Sequence, residues 1–140
     1  MSVDVWKFAQ DNVLLIAVAA ASGGMLLWPI IRGGASGGLG TLEATQLINR
    51  EDAMVVDVRS PEEFSVGHIV NARNIPVADI ESRLREIEKH KKKPVIVMCE
   101  RGSRAGRAAN VLKAKGFEKV HVLAGGIEAW RSAGLPVAKT

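Results

Sequence analysis

Cys99 is the only cysteine in this 140-residue chain, and it ends an apolar run, Val95-Ile96-Val97-Met98, of the kind that forms a buried strand. Glu100-Arg101-Gly102-Ser103-Arg104 follows at once and opens into a stretch of small residues at helical spacing. A thiol placed at the carboxyl end of a strand, at a helix N-terminus and beside guanidinium groups, is where a thiolate is stabilised and can act as a nucleophile. A lone buried cysteine is otherwise a small, inert hydrophobe. The loop that follows Cys99 is what sets this one apart. Arg101 and Arg104 are candidates to attract and orient an anionic substrate, against the blander reading of surface arginines that pair with Glu100 or Asp57. Glu100 opposes an anion, so its side chain is expected to face solvent.

Other chemistries are poorly served. One cysteine excludes an internal disulfide and a thiolate zinc site, and His90 and His121 stand without neighbours that would complete a metal site, so no metal and no cofactor is expected. His68, in Gly67-His68-Ile69, invites a Cys–His pair, but a thiol already held as thiolate needs no base, and His68 is read as structural. The net charge of +4 is modest, and a chain without tyrosine and with few aromatic residues beside its lysines is not expected to bind nucleic acid. A reactive free thiol favours a reducing compartment.

The elements that must position Cys99 alternate. Thr41 can cap a helix with Ala44, Leu47 and Ile48 on one face, and Met54-Val55-Val56 reads as a short buried strand ending at Asp57. Ser60-Pro61-Glu62-Glu63 is a capping box with proline at the first helical position. Ile80, Leu84 and Ile87 predict another helix face, trailing into the basic run from Glu88 to Lys93, which is read as a solvated turn. After the Cys99 strand, Ala105, Ala108, Ala109 and Leu112 line a helix that Gly116 stops; Lys119 to Leu123 is a further strand, and a last helix runs through Trp130. Such alternation implies an α/β domain with a parallel sheet covered on both faces, whose ligands bind beyond the carboxyl ends of the strands. Asp57 and Cys99 are expected to share that rim, with Asp57 and Arg59 paired near it.

The first third of the chain is different. Residues 1–12 form a flank, and Val13 to Ile31 runs nineteen residues without a charge, bracketed by Lys7 and Arg32, with Trp6, Phe8 and Trp28 near its ends. This is the length and composition of a single membrane-spanning helix. A cleaved signal peptide and a buried core helix are the competing readings; the first lacks a clearly positive leading region, and the hundred residues that follow do not look short of a core element. Ala20 and Gly24 form a small-residue pattern through which two such helices could pack as a homodimer. The thiol and the later excess of Lys and Arg favour a single-pass protein with its C-terminal domain in the cytoplasm. Residues 32–40, RGGASGGLG, read as a flexible tether to a domain over 41–140.

Three segments resemble one family in the same order. Asp57 to Pro76, DVRSPEEFSVGHIVNARNIP, is similar to the N-terminal signature of rhodanese domains; CERGSR resembles their active-site loop; and Gly125 to Val137, GGIEAWRSAGLPV, resembles their C-terminal signature. The resemblance implies a five-stranded parallel sheet flanked by helices, here preceded by one transmembrane helix that the family pattern does not cover. It implies a sulfurtransferase in which Cys99 takes sulfane sulfur from thiosulfate or a persulfide or polysulfide donor, and hands it to cyanide or a thiol. The amides of Glu100, Arg101, Gly102, Ser103 and Arg104 would hold the persulfide, with Asp57 and Arg59 behind them. Four residues separate Cys99 from Arg104; phosphatases with this fold have a loop one residue longer, wide enough for phosphate. Ala105 stands where relatives commonly carry serine. A catalytically idle membrane-tethered scaffold, and less so a phosphatase or arsenate reductase, are the alternatives.

Overall fold

The computed structural model describes residues 4–31 and 38–140, with the side chains of residues 29–31 excepted. The chain divides into two units, Met1–Gly37 and Gly38–Thr140. Most of the predicted tether, residues 32–37, lies outside the described residues.

In the first unit, helices α1 (Val5–Asp11) and α2 (Val13–Ile31) adjoin at Asn12. The Asp4 carboxylate caps α1, accepting from the amides of Trp6 and Lys7. The helix predicted over Val13–Ile31 forms, and its apolar side chains lie open: Leu14, Met25 and Leu26 are each at least 75% exposed. Among the described residues, however, no single helix is long and apolar enough to cross a membrane. α1 and the stretch Val13–Trp28 reach that length and composition only together, and they meet at an angle of 83°.

The second unit is an α/β layer structure. Its strands β1 (Met54–Asp57), β3 (Arg73–Asn74), β4 (Pro94–Met98) and β5 (Lys119–Val122) form a wholly parallel sheet in the order β3-β1-β4-β5. Among the described residues the parallel sheet has four strands where the resemblance implies five, and Leu39 joins its edge through one parallel bridge to Leu123. The reason is local: Gly40 caps helix α3 (Thr41–Glu51), so the chain turns helical immediately after Leu39. Gly40 holds the cap position expected of Thr41, and its N–H donates to the Glu43 carboxylate at 3.0 Å. A separate antiparallel pair joins β2 (His68–Ile69) to β6 (Val137–Ala138).

Alternation along β4 divides the core in two. Val95, Val97 and Cys99 pack with Ala105, Ala108, Ala109 and Leu112 of helix α5 (Ser103–Ala114), while Ile96 and Met98 pack on the other face with Ala44, Ile127 and Trp130. The Cys99 side chain therefore lies on the α5 side of the sheet because of its parity in the strand. Ser60 and Glu63 close the predicted capping box at the start of α4 (Pro61–Val66), each side chain bonded to the other residue's amide. The helix predicted from Ile80, Leu84 and Ile87 does not form. The segment winds as short 3-10 turns, Val77–Asp79, Leu84–Glu86 and Glu88–His90, that still bury Ile80 and Ile87. A repeat of three places residues 84 and 87 on one side as well as an α-helical repeat does, so the apolar spacing fits both.

Candidate active site

Asp57 ends β1 and stands opposite Met98 in the register of the sheet, which puts Cys99 one step beyond that level on the same rim. Cys99 is 1% exposed. Its Sγ accepts the N–H of Gly102 at 2.9 Å, across a loop that curls back on the sulfur. Gly102 is the N-cap of α5 at φ 118°, a conformation natural to glycine and costly for any residue with a Cβ. Ser103 and Arg104 are the first residues of α5, whose leading amides have no partner inside the helix and so favour negative charge beside them.

A second loop closes over the first. Gly126, at φ 55°, begins helix α6 (Gly126–Ser132), and a Cβ there would run into the carbonyl oxygen of Cys99 and approach that of Glu100 at 2.6 Å. The next amides tie the loops together: Ile127 N–H donates to the Cys99 carbonyl at 2.9 Å and Glu128 N–H to that of Glu100 at 3.4 Å. Sequence reasoning placed Gly125-Gly126 only within a terminal signature and missed this contact. The signal available was a glycine pair standing between a strand and a helix in a fold whose sites lie at such junctions.

The charged residues are all engaged. Arg59, 1% exposed, grips Asp57 through Nε and Nη2, the shortest bond being 2.7 Å, and donates through Nη2 to the Gly67 carbonyl at 2.7 Å. Burial works against the guanidinium charge, but the hydrogen bond and charge of Asp57 outweigh it and hold the Arg59 pKa above its ordinary value. The expected Asp57–Arg59 pair is thus present, and it is fully buried. Glu100 does not simply face water, as the sequence suggested: its half-exposed carboxylate reaches the buried Arg59 guanidinium at 3.4 Å, drawn by its charge. Arg101 is 78% exposed and meets Glu128 at 3.3 Å. Arg104, a candidate for orienting an anion, makes a bidentate pair with Glu63, at 2.9 and 3.0 Å. The Arg104 hydrogen bond, opposed by partial desolvation and aided by the Ser60 amide, pulls the Glu63 pKa down to about 2. Glu63 was read from the sequence only as a helix-capping residue.

His68 takes no part: its Nδ1 lies 2.8 Å from the Phe64 carbonyl and its ring stacks on Phe64 at 3.8 Å. Among the described residues no cluster of three or more His, Cys, Asp or Glu could hold a metal.

The family model of the rhodanese-like domain matches residues 41–133. The chain belongs to the rhodanese-like domain family. It is 43% identical over 98 residues to the uncharacterized protein YibN of Escherichia coli K12, covering 69% of this chain and 68% of YibN. Among solved structures, it is similar to a thiosulfate sulfurtransferase from Pseudomonas aeruginosa, with a TM-score of 0.65 and 25% identity over 72% of this chain and 19% of that one. It is equally similar to a protein of unknown function, described as a possible tyrosine phosphatase, from Rhodopseudomonas palustris CGA009, with a TM-score of 0.64 and 27% identity over 72% of this chain and 83% of that one. The rhodanese-like α/β fold, with its parallel sheet flanked by helices, is therefore shared with relatives of differing description.

Proposed function

We propose that this protein is a sulfurtransferase that carries sulfur on Cys99. The observation that supports this most directly is the Cys99 sulfur at the start of α5 with the Gly102 N–H aimed at it. In the first step the Cys99 thiolate attacks the outer sulfur of thiosulfate. A new S–S bond forms, the old one breaks, and sulfite leaves with the electron pair. In the second step cyanide or a thiolate attacks the outer sulfur of the Cys99 persulfide and restores the thiolate. One difficult transfer becomes two easier ones, and each passes negative charge along a sulfur chain beside the Gly102 N–H, with the other amides of residues 100–104 proposed to share in holding it.

The test is intact-mass spectrometry of the full chain before and after exposure to thiosulfate or polysulfide, with Cys99→Ser as control. A gain of one sulfur atom, reversed by cyanide and absent from the variant, is the expected result. No gain with either donor overturns the proposal and leaves an idle binding module.

A phosphatase reading has the Rhodopseudomonas palustris neighbour in its favour. Against it stand the four-residue spacing from Cys99 to Arg104 and the engagement of Arg104 by Glu63, which leaves no free guanidinium fork for a phosphoryl group. Hydrolysis of an aryl phosphate by the wild type but not by Cys99→Ser would favour it.

We also propose that α2 anchors the protein in a membrane, with the rhodanese-like domain on the cytoplasmic side and Ala20 and Gly24 available to pair two copies. The support is the open apolar surface of Leu14, Leu15, Met25 and Leu26, each more than two-thirds exposed, which a lipid phase would cover. Extraction of the full chain from membranes by alkaline carbonate overturns this reading; retention supports it.

A further inference from the structure

The rim around Cys99 is unexpectedly short of free positive charge. Three guanidinium groups stand there, those of Arg59, Arg101 and Arg104, and four carboxylates face them: Asp57, Glu100, Glu128 and Glu63. Arg59 is committed twice over inside the protein. Arg101 is too exposed for its charge to act strongly through water. Arg107 and Arg131, on the neighbouring helices, are exposed as well. Among the described residues, Arg104 is the guanidinium best suited to receive a donor oxygen, because it is half-buried and sits on the first turn of α5, the helix that follows Cys99. Glu63 occupies both arms of its fork. Ser60 fixes Glu63 in turn, its N–H and Oγ both donating to Oε2 at 2.9 and 3.1 Å, so the carboxylate is held rather than swinging.

Resting on the sulfurtransferase reading, we infer that Glu63 sets the donor class: by closing Arg104, it turns the site away from dianionic thiosulfate and toward the persulfide of a thiol. A thiosulfate dianion approaching this rim meets the Glu100 and Glu63 carboxylates with no unengaged half-buried guanidinium among the described residues to offset them, and like charges repel. A persulfide carries its transferable sulfur with at most one negative charge there. The balance of the step is simple. The Cys99 thiolate attacks the outer sulfur of R–S–S–H, the S–S bond breaks, and the thiolate R–S⁻ leaves with the electron pair. Cys99 is left as the persulfide, whose proton passes to water. No oxidant or reductant is consumed.

The experiment compares kcat/KM for thiosulfate and for the persulfide of N-acetylcysteamine, which is uncharged outside its sulfur chain, with cyanide as acceptor and the full chain as enzyme. Wild type is expected to favour the persulfide. Glu63→Gln keeps an oxygen for the Ser60 cap while freeing Arg104. It is expected to raise kcat/KM for thiosulfate roughly tenfold, the factor of about one charge-assisted hydrogen bond, and to leave the persulfide reaction nearly unchanged. Adding Arg104→Gln to that variant is expected to abolish the gain. Equal change with both donors in Glu63→Gln, or a wild type that favours thiosulfate, overturns the inference while leaving sulfur transfer intact. Absence of sulfur on Cys99 from either donor overturns the underlying function, and this inference with it.

Discussion

Gly126 lies against the carbonyl oxygen of Cys99 so closely that no side chain fits between them, and its backbone sits at φ 55°. The strand carrying the thiol and the helix that follows β5 are thereby pressed together by backbone alone. Two amides, those of Ile127 and Glu128, hold the Cys99 and Glu100 carbonyls in place from the other side of the contact. The orientation of the candidate loop is therefore set from outside it.

Gly126→Ala is accordingly expected to be severe. The left-handed backbone and the overpacked contact together cost on the order of 3 kcal/mol, read as a lowered midpoint in urea unfolding. Sulfur loading of Cys99 should fall further than stability does, because the loop must shift to admit the methyl group.

Gly102 makes a contrasting case. A Cβ there has room, its nearest neighbour being the Leu123 carbonyl at 4.0 Å, but φ is 118°. Gly102→Ala therefore costs only about 1–2 kcal/mol of backbone strain while turning the N–H away from the sulfur. Loss of one such donor predicts a fall of about 100-fold in turnover. A circular-dichroism melt beside the kinetics separates the two effects, and a turnover loss no larger than the stability loss would count against the role given to this amide.

The buried pair of Asp57 and Arg59 predicts a stability effect of a different origin. Asp57→Ala leaves a guanidinium enclosed with only the Gly67 carbonyl and the more distant Glu100, and is expected to cost about 3–5 kcal/mol in equilibrium unfolding. Replacing Arg59 by Met in the same chain should recover much of that loss, since no buried charge then remains. A double variant no more stable than Asp57→Ala would show that the pair is not the source.

Glu63 carries a pH signature. Its pKa is lowered from 4.5 to about 2, chiefly by its hydrogen bond to Arg104. A carboxylate depressed on folding contributes stability that is fully present above its unfolded pKa and is lost as pH falls through the folded one. The destabilisation caused by Glu63→Gln should hence be constant above about pH 5 and fade between roughly pH 4.5 and pH 2. The pair is partly exposed, so raising salt should shrink the effect at neutral pH. Unfolding curves of both proteins across that range provide the check.

Local sequence was enough for the features that depend on neighbours along the chain. The run before Cys99 forms a strand, Ser60 and Glu63 close their cap, Gly116 ends α5 at φ 94°, and Asp57 pairs with Arg59 two residues on. Each rests on periodicity, capping or a short-range bond, whose physics is complete within a few residues. The turns around Ile80 and Ile87 mark the limit of that reasoning, because the same apolar spacing suits a helix and a chain of 3-10 turns. Contacts between distant segments were decided by the sheet. Placing the starts of α4 and α5 beyond the ends of the neighbouring strands β1 and β4 brings Glu63 to Arg104 across 41 residues, and the connection from β5 to α6 lays Gly126 on Cys99. Nothing in the spacing of those residues encodes their meeting. The types of residue thus prescribe a thiol at a rim rich in arginine, while the tertiary structure decides that this rim is closed by carboxylates, since a charge acts only on what folding brings within a few ångströms of it.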